Sequence, residues 1–160
     1  MRYGIGFDIH PLVNGRQLIL GGLEIPFERG LDGWSDADVL THAIMDALLG
    51  AAALGDIGVH FPPGNPEYKG VSSLKLLTAV KQKLDAAGWH IENIDSTIIA
   101  EKPRMRDYID KMRLNLGTTL DIHMNQVSIK ASTANGVGSI GNGNGIAALA
   151  IASISKTTKT

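Results

Sequence analysis

The chain has 160 residues, a net charge of −1 and no cysteine. This length suits one hydrophobic core, so we predict a single domain over residues 1–160. The near-neutral charge, without a basic block, argues against a nucleic-acid partner. The lack of cysteine excludes disulfides and thiolate metal ligands. No apolar run is long enough to cross a membrane, and Met1 leads straight into a predicted strand without room for a signal peptide, so we expect a cytoplasmic protein.

The first predicted strand covers residues 2–10 and alternates apolar with small or polar residues, as in a half-buried strand. Pro11 should end it. Asp8 and His10 would then share one face, about 7 Å apart at Cα, a span that one cation can bridge. Two short strands, 17–20 and 23–27, should follow as a hairpin turning at Gly21 and Gly22.

A helix is predicted from a Ser35 cap to about residue 54, with Gly55 as its stop. Its residues Asp38, His42 and Asp46 are spaced by four and would form one polar stripe. The two aspartates would be placed to hydrogen bond His42 and fix its tautomer.

Spacing alone leaves two interpretations of these residues open. One is a metal site formed by Asp8, His10 and His42. The other is a chance pattern beside a solvated helix face.

The second half of the chain alternates strand and helix patterns. Segment 56–71 is rich in glycine and proline, which predicts an irregular loop of functional importance or mobility. The remaining periodic segments predict helices 73–87 and 105–116 and strands 89–100, 126–131 and 145–154. Strand, helix, strand order implies a right-handed crossover. The predicted fold class is α+β, a mixed β-sheet with helices packed on one face.

A glycine-rich segment at 132–145 precedes the last strand. Its hydroxyls and backbone N–H groups are suited to a phosphate, although a flexible glycine hairpin has the same composition. It matches neither the dinucleotide-binding glycine motif nor the phosphate loop with its lysine.

Several short segments also match one known family in order over nearly the whole chain. They are 6–10, 21–22, 35–39 with His42, 46–50, 55–58, 61–62 and 130–133. In these segments the chain closely resembles the 2-C-methyl-D-erythritol 2,4-cyclodiphosphate synthase family of non-mevalonate isoprenoid biosynthesis.

The resemblance implies an enzyme of the phosphorus–oxygen lyase class. The 2-phosphate of 4-diphosphocytidyl-2-C-methyl-D-erythritol 2-phosphate would attack the β-phosphate and release CMP. Asp8, His10 and His42 would bind Zn²⁺, and a second divalent cation, Mg²⁺ or Mn²⁺, would bind with the substrate phosphates. The resemblance further implies a homotrimer with sites at subunit interfaces.

The resemblance also assigns site residues. Thr133 and Trp34 would be catalytic, segments 56–58 and 61–65 would contact the substrate, and segment 100–106 would frame the cytidine. The full set of implied substrate contacts is Asp8, His10, Trp34, Ser35, Asp56, Ile57, Gly58, Phe61, Pro62, Pro63, Gly64, Asn65, Ala100, Glu101, Lys102, Pro103, Arg104, Met105, Arg106, Ser132, Thr133, Ala134 and Asn135.

Three positions depart from the pattern of this family. Trp34 replaces a histidine and can offer only an indole N–H. Asn135 replaces a glutamate and weakens attraction for a hard cation. Asn142 replaces an arginine, so we expect no anion site near the threefold axis.

Two alternative functions remain open at the level of sequence. A histidine pair with a carboxylate is also the ligand set of non-haem iron oxygenases, whose usual double-stranded β-helix does not match three predicted helices. The departures at Trp34 and Asn135 also fit a non-catalytic, zinc-binding trimeric relative that binds nucleotide or phosphate ligands.

Overall fold

The computed structural model describes residues 1–156, and its central feature is a five-stranded sheet in the order β4-β1-β7-β5-β6. Strands β5 and β6 pair in parallel and the other pairs are antiparallel, which confirms the predicted mixed sheet. A separate hairpin, β2 with β3, turns at Gly21 and Gly22 as predicted. The strands are β1 Arg2–Asn14, β2 Leu18–Leu20, β3 Leu23–Ile25, β4 Arg29–Leu31, β5 Trp89–Ile99, β6 Val127–Ser132 and β7 Gly145–Lys156.

Long helices cover one face of the sheet, which confirms the α+β class. Helix α1 packs on β1 and β7, and α3 packs between α1 and α4. The helices are α1 Val39–Ala52, α3 Ser73–Ala86 and α4 Ile109–Leu120, with four-residue helices α2 Ile57–His60 and α5 Gly138–Gly141. Short 3-10 turns occupy Pro66–Tyr68, Arg106–Tyr108 and Met124–Gln126.

The close fit of α1 against β1 depends on two glycines. A Cβ at Gly6 would lie 1.9 Å from the carbonyl oxygen of Ala43, and one at Gly4 would lie 2.0 Å from that of Ala47. Only a residue without a side chain allows the helix backbone this near the strand.

The side of β1 that faces away from α1 is apolar and exposed, whereas the small residues Gly4 and Gly6 lie on the covered side. Ile5 and Phe7 are 71% and 53% exposed. They pair with Ile151 and Leu149 of β7, which are also exposed. We call this surface the outer face, and its apolar residues are Tyr3, Ile5, Phe7, Ile9, Leu149 and Ile151.

The prediction that Pro11 ends the first strand is wrong. At Pro11 strand β1 stops pairing with β7, and from Leu12 onward it pairs with β4. The missing N–H of proline falls where the ladder changes partner, so no inter-strand hydrogen bond is lost.

Helix α1 begins later and ends earlier than predicted. Asp38, not Ser35, is its N-cap, because a side-chain oxygen of Asp38 accepts from Thr41 N. At the other end Ala53, not Gly55, adopts the left-handed conformation with φ +58°.

The 56–71 segment is more regular than its composition suggests. Asp56 and Asn65 cap α2 and the 3-10 turn that starts at Pro66. Proline suits the first turn of a helix, so breaker residues here start short helices. The predicted helix 105–116 also shifts, since α4 begins at Ile109 and ends at Leu120.

Candidate functional site

Three side chains converge at the carboxyl-terminal half of β1 and the first turns of α1. His10 Nε2 and His42 Nδ1 each lie 2.9 Å from Asp8 Oδ2, and the two nitrogens are 3.3 Å apart. Zinc binds nitrogen and oxygen at about 2.0–2.2 Å with tetrahedral angles, which sets its ligands about 3.3 Å apart. The spacing of the three donor atoms therefore fits one cation.

The opposite ring nitrogens of both histidines are already engaged. His10 Nδ1 lies 2.6 Å from the carbonyl oxygen of Asp32, so it must donate its hydrogen there. His42 Nε2 lies 3.1 Å from Ser35 Oγ and 3.0 Å from Ser73 Oγ. Both rings are thus oriented by second partners, the usual arrangement around a metal.

The charges at the triad favour an ionised carboxylate. Burial raises the pKa of Asp8, but hydrogen bonds from His10 and His42 outweigh it and hold that pKa well below its ordinary value. Burial lowers the pKa of His10, yet the Asp8 carboxylate raises it overall. An anionic oxygen between two imidazoles is a donor set suited to a divalent cation.

Arg16 supports the segment that faces the triad. Its guanidinium donates to Asp32 Oδ1 at 3.2 Å, to the Gly33 carbonyl at 3.0 Å and to the Ser35 carbonyl at 2.9 Å. The segment that orients His10 is therefore tied to the loop after β1.

A pocket of about 180 Å³ opens beside the triad. Aromatic and apolar groups from the 57–68 segment form its wall opposite the ligands. Tyr68 and Leu76 line this pocket. The other lining residues are all predicted metal ligands or substrate contacts: Asp8, His10, Trp34, Ser35, His42, Ile57, Gly58, Phe61 and Pro63. Asp56, Pro62, Gly64 and Asn65 lie in the same segment but outside this lining.

Trp34 joins this pocket to the 61–70 loop. Its indole Nε1–H donates to the Asn65 carbonyl at 2.9 Å, and its own carbonyl accepts from Gly70 N at 2.8 Å. Lys69 Nζ lies 5.9 Å from the ring centroid. The single polar donor of Trp34 is therefore used in holding the loop.

A second, larger groove of about 800 Å³ lies elsewhere on the chain and shares no lining residue with the first. It contains the whole predicted 100–106 segment with Ser132 and Thr133, and Phe27, Ile109 and Ala131 complete it. Within the described residues, the predicted site residues that line a pocket therefore lie in two separate pockets.

The glycine-rich segment borders the larger groove. Glu101 accepts from Ala134 N at 2.8 Å and from Gly136 N at 3.4 Å, which fixes the start of the loop. Thr133 Oγ1 donates to Asn135 Oδ1 at 3.0 Å. Ala134 and Asn135 stand beside the groove without lining it.

Asp38 and Asp46 do not orient His42, so that prediction is wrong. Asp38 is fully buried and accepts from Gly21 N, Gly22 N, Thr41 N and the Thr41 hydroxyl. Asp46 accepts from Ile57 N at 2.8 Å. A carboxylate with backbone donors at hand satisfies those first, because an unpaired buried N–H is costly.

The residues that contact His42 instead are Ser35 and Ser73, and Ser73 was missed as a site residue. Its position at the start of α3 indicated only a helix cap. A serine in that position gives no signal of a contact with a residue 31 positions earlier in the chain.

Comparison with known proteins agrees with this picture. The YgbB family model matches residues 1–155. The chain belongs to the YgbB family. One relative in the family, 2-C-methyl-D-erythritol 2,4-cyclodiphosphate synthase of Lachnospira eligens, is 58% identical over 158 residues, covering 99% of this chain and 86% of its own. The protein of the same name from Dehalococcoides mccartyi strain CBDB1 is 58% identical over 152 residues, covering 95% and 97%.

Several solved structures share this fold. The bifunctional IspDF of Campylobacter jejuni has a TM-score of 0.94 at 36% identity, covering 98% of this chain and 42% of its own. The CDP complex of IspF from Plasmodium falciparum has a TM-score of 0.86 at 29% identity, covering 98% and 97%. Within residues 1–156, none of the helices has the length and apolar character needed to cross a membrane.

Proposed function

We propose that this protein converts 4-diphosphocytidyl-2-C-methyl-D-erythritol 2-phosphate into 2-C-methyl-D-erythritol 2,4-cyclodiphosphate and CMP, as a cytoplasmic lyase of isoprenoid biosynthesis. The observation that carries the proposal is the convergence of Asp8, His10 and His42 in a chain of the YgbB family. Relatives with 58% identity carry the name of this synthase.

The proposed step is an intramolecular phosphoryl transfer. An oxygen of the 2-phosphate forms a bond to the β-phosphorus, and the bond from that phosphorus to the oxygen bridging the α-phosphate breaks. CMP leaves with the bridging oxygen. The protein supplies no nucleophile, so its residues act by alignment and by neutralising charge.

Zn²⁺ held by Asp8, His10 and His42 would polarise phosphate oxygens as a Lewis acid. Beside it, we propose that the Thr133 hydroxyl and neighbouring Ser132 donate hydrogen bonds to the diphosphate. Thr133 now donates to Asn135, an exposed contact that can be exchanged for a phosphate oxygen. A second cation, Mg²⁺ or Mn²⁺, would rely chiefly on substrate phosphates because Asn135 contributes only a neutral amide oxygen.

The cytidine is proposed to occupy the larger groove. Phe27, Met105 and Ile109 give this groove apolar surface, and Arg104 brings a cation that can face a phosphate. A homologous fold binds CDP, a nucleotide of the same base.

We propose a homotrimer because the two pockets are separate on one chain. A single substrate carries both a nucleotide and its reacting phosphates, so we propose that the groove of one copy lies beside the metal centre of another. We propose that the copies pack against one another through the outer face. Its exposed Tyr3, Ile5 and Phe7 side chains, 53–71% exposed, are the kind of apolar patch that marks a protein interface.

Trp34 is proposed to act by shaping the pocket wall. Its N–H already holds the Asn65 carbonyl, so it positions the 61–65 loop against the triad. This replaces the charge-bearing role that a histidine would have at that position.

The test is CMP release from the named substrate by zinc-loaded protein with Mg²⁺ or Mn²⁺ added. We expect wild-type protein to release CMP and His42→Ala to lose the activity together with bound zinc. Folded, zinc-loaded trimer that binds CDP but releases no CMP would instead identify the non-catalytic relative favoured by Trp34 and Asn135. The iron-oxygenase alternative is disfavoured because the triad lies between an open sheet and α1.

A further inference from the structure

Ser73 contacts the ring of His42 on the side opposite the metal ligands. The Ser73 side chain is fully buried and its Oγ lies 3.0 Å from His42 Nε2. His42 itself is 7% exposed. Because water cannot readily replace a buried partner, this contact constrains the histidine ring.

Asp36 fixes the direction of the Ser73 hydroxyl. One carboxylate oxygen of Asp36 accepts the hydroxyl hydrogen of Ser73, and the other accepts the Ser73 backbone N–H at 2.9 Å. An ionised carboxylate can only accept hydrogen bonds. Ser73 therefore uses its one hydroxyl hydrogen on Asp36 and offers a lone pair to His42.

A lone pair at Ser73 Oγ requires a hydrogen on His42 Nε2. In the neutral ring the lone pair then lies on Nδ1, the nitrogen 2.9 Å from Asp8 Oδ2. We propose that Asp36 and Ser73 are positioning residues that hold His42 in the Nε2–H tautomer and thereby raise the affinity of the triad for Zn²⁺. This inference rests on the metal site of the proposed function.

Ser35 also contacts His42 Nε2, but it does not select the tautomer of the ring. Its Oγ accepts from Ala37 N at 3.3 Å and lies 3.1 Å from His42 Nε2. Its hydroxyl hydrogen is not directed to a carboxylate, so it can rotate to serve either tautomer of the ring. The tautomer is thus selected by Ser73, whose hydrogen Asp36 holds.

The first test measures Zn²⁺ affinity by competition with a chromogenic chelator at fixed pH. Ser73→Ala removes the acceptor, and we expect about 10- to 100-fold weaker binding, the usual effect of losing such a partner. Thr78→Ala is the matched control, since it deletes an exposed hydroxyl of the same helix that bonds only within the helix. It should bind zinc within about twofold of wild type.

Asp36→Asn tests the tautomer selection more directly, because it keeps the size of the Asp36 side chain and leaves Ser73 in place. Two backbone N–H groups face the Asp36 carboxylate, that of Ser73 at 2.9 Å and that of Asp38 at 3.3 Å. The shorter contact should take the amide oxygen of the variant, which turns its NH₂ group toward Ser73 Oγ. Ser73 must then donate its hydrogen to His42 Nε2 and favour the wrong tautomer. We expect zinc affinity to fall about tenfold or more although no ligand and no neighbouring hydroxyl has been removed.

A spectroscopic measurement separates positioning from a merely structural role. In zinc-loaded wild type, ¹H–¹⁵N spectra of the imidazoles should show the His42 Nε2–H exchanging slowly with water, and in Ser73→Ala this exchange should be faster. The zinc-induced rise in Tm should shrink in both variants, whereas a structural defect alone would lower Tm equally with and without zinc.

The outcomes distinguish this inference from the proposed function. If wild type binds no zinc, the metal site and the inference both fail. If wild type binds zinc and the folded variants bind it equally tightly, the positioning role is overturned while the metal site stands. Should Ser73→Ala not fold, Asp36→Asn and the wild-type spectrum decide the question.

Discussion

The two faces of β1 differ in both size and chemistry. Toward α1 the strand presents Gly4 and Gly6 and then the ligands Asp8 and His10, whereas the outer face presents large apolar side chains such as Ile5. The helix lies so close that only glycine fits beneath it. Alternation therefore identifies a strand, but the smaller residues can be the covered ones when a helix backbone approaches, and the larger ones remain for a partner.

The largest expected effect on stability comes from disrupting the packing of α1 against the covered face of β1. Gly6→Ala would place a Cβ 1.9 Å from the Ala43 carbonyl oxygen, so α1 must move away from β1. We expect a loss of about 3 kcal/mol or more in the free energy of unfolding, measured in urea.

Gly50→Ala is the control for that change. It adds the same methyl group on α1, where the nearest atom outside the helix backbone is the Ile5 carbonyl oxygen, 4.0 Å from the new Cβ. Removing a glycine from a helix interior should leave stability unchanged or raise it by up to about 1 kcal/mol. Equal unfolding midpoints for Gly6→Ala and wild type would contradict the close docking of α1.

A charge on the outer face should change the oligomeric state of the protein and leave the fold of each copy intact. Ile5→Lys places a charge in the centre of the proposed trimer contact, so sedimentation should show monomer in place of trimer while circular dichroism stays unchanged. CMP release should also be lost, because the groove and the metal centre would then lie on separate molecules.

Leu114→Lys is the matched control for the outer face. Leu114 is 56% exposed on α4, away from β1 and β7. This variant should sediment as wild type does. A trimer that persists in Ile5→Lys would contradict the proposed contact.

A smaller loss in the free energy of unfolding is expected from a change at Asp38, which connects the start of α1 to the β2–β3 hairpin. Burial raises the pKa of Asp38, and hydrogen bonds from Thr41 and from Gly22 N of the hairpin oppose this rise. Gly21 N also donates to the Asp38 carboxylate. Asp38→Asn turns an NH₂ group toward donors, which should cost about 2 kcal/mol in thermal or urea unfolding.

Asp110→Asn provides the comparison for Asp38→Asn. The Asp110 carboxylate is 84% exposed and pairs with Arg113 at the surface. The same chemical change there should cost less than about 1 kcal/mol. Equal losses of unfolding free energy for the two variants would contradict a larger contribution of the buried Asp38 cap to stability.

The smallest effect is expected at the polar edge of the outer face, where Lys130 pairs with Asp95. The hydrogen bond from Lys130 lowers the pKa of Asp95 below its ordinary value of 3.8. A lowered pKa stabilises the fold above pH 3.8, and this contribution disappears as pH falls through the folded value. Both groups are about half exposed, so Lys130→Ala should cost less than about 1 kcal/mol at pH 7.

The pH dependence checks the origin of that small effect. The difference in unfolding free energy between wild type and Lys130→Ala should shrink as pH is lowered from 7 toward 2. A difference that grows in acid would mean that Lys130 contributes through something other than its pairing with Asp95.

Local patterns in the sequence determined the order of the longer strands and helices, the α+β class and the shared face of Asp8 and His10. They missed the three-residue strand β4 and the four-residue helices α2 and α5, which are too short to show a periodic pattern. Period-2 and period-3.6 patterns depend on residues near in sequence, so they can be read from the chain directly. The tertiary structure decided which face of β1 is covered, that Asp38 serves the hairpin, and that Ser73 holds His42. Each of these depends on contacts between residues far apart in the chain, where competition among hydrogen-bond donors and the space beneath a helix select the partner.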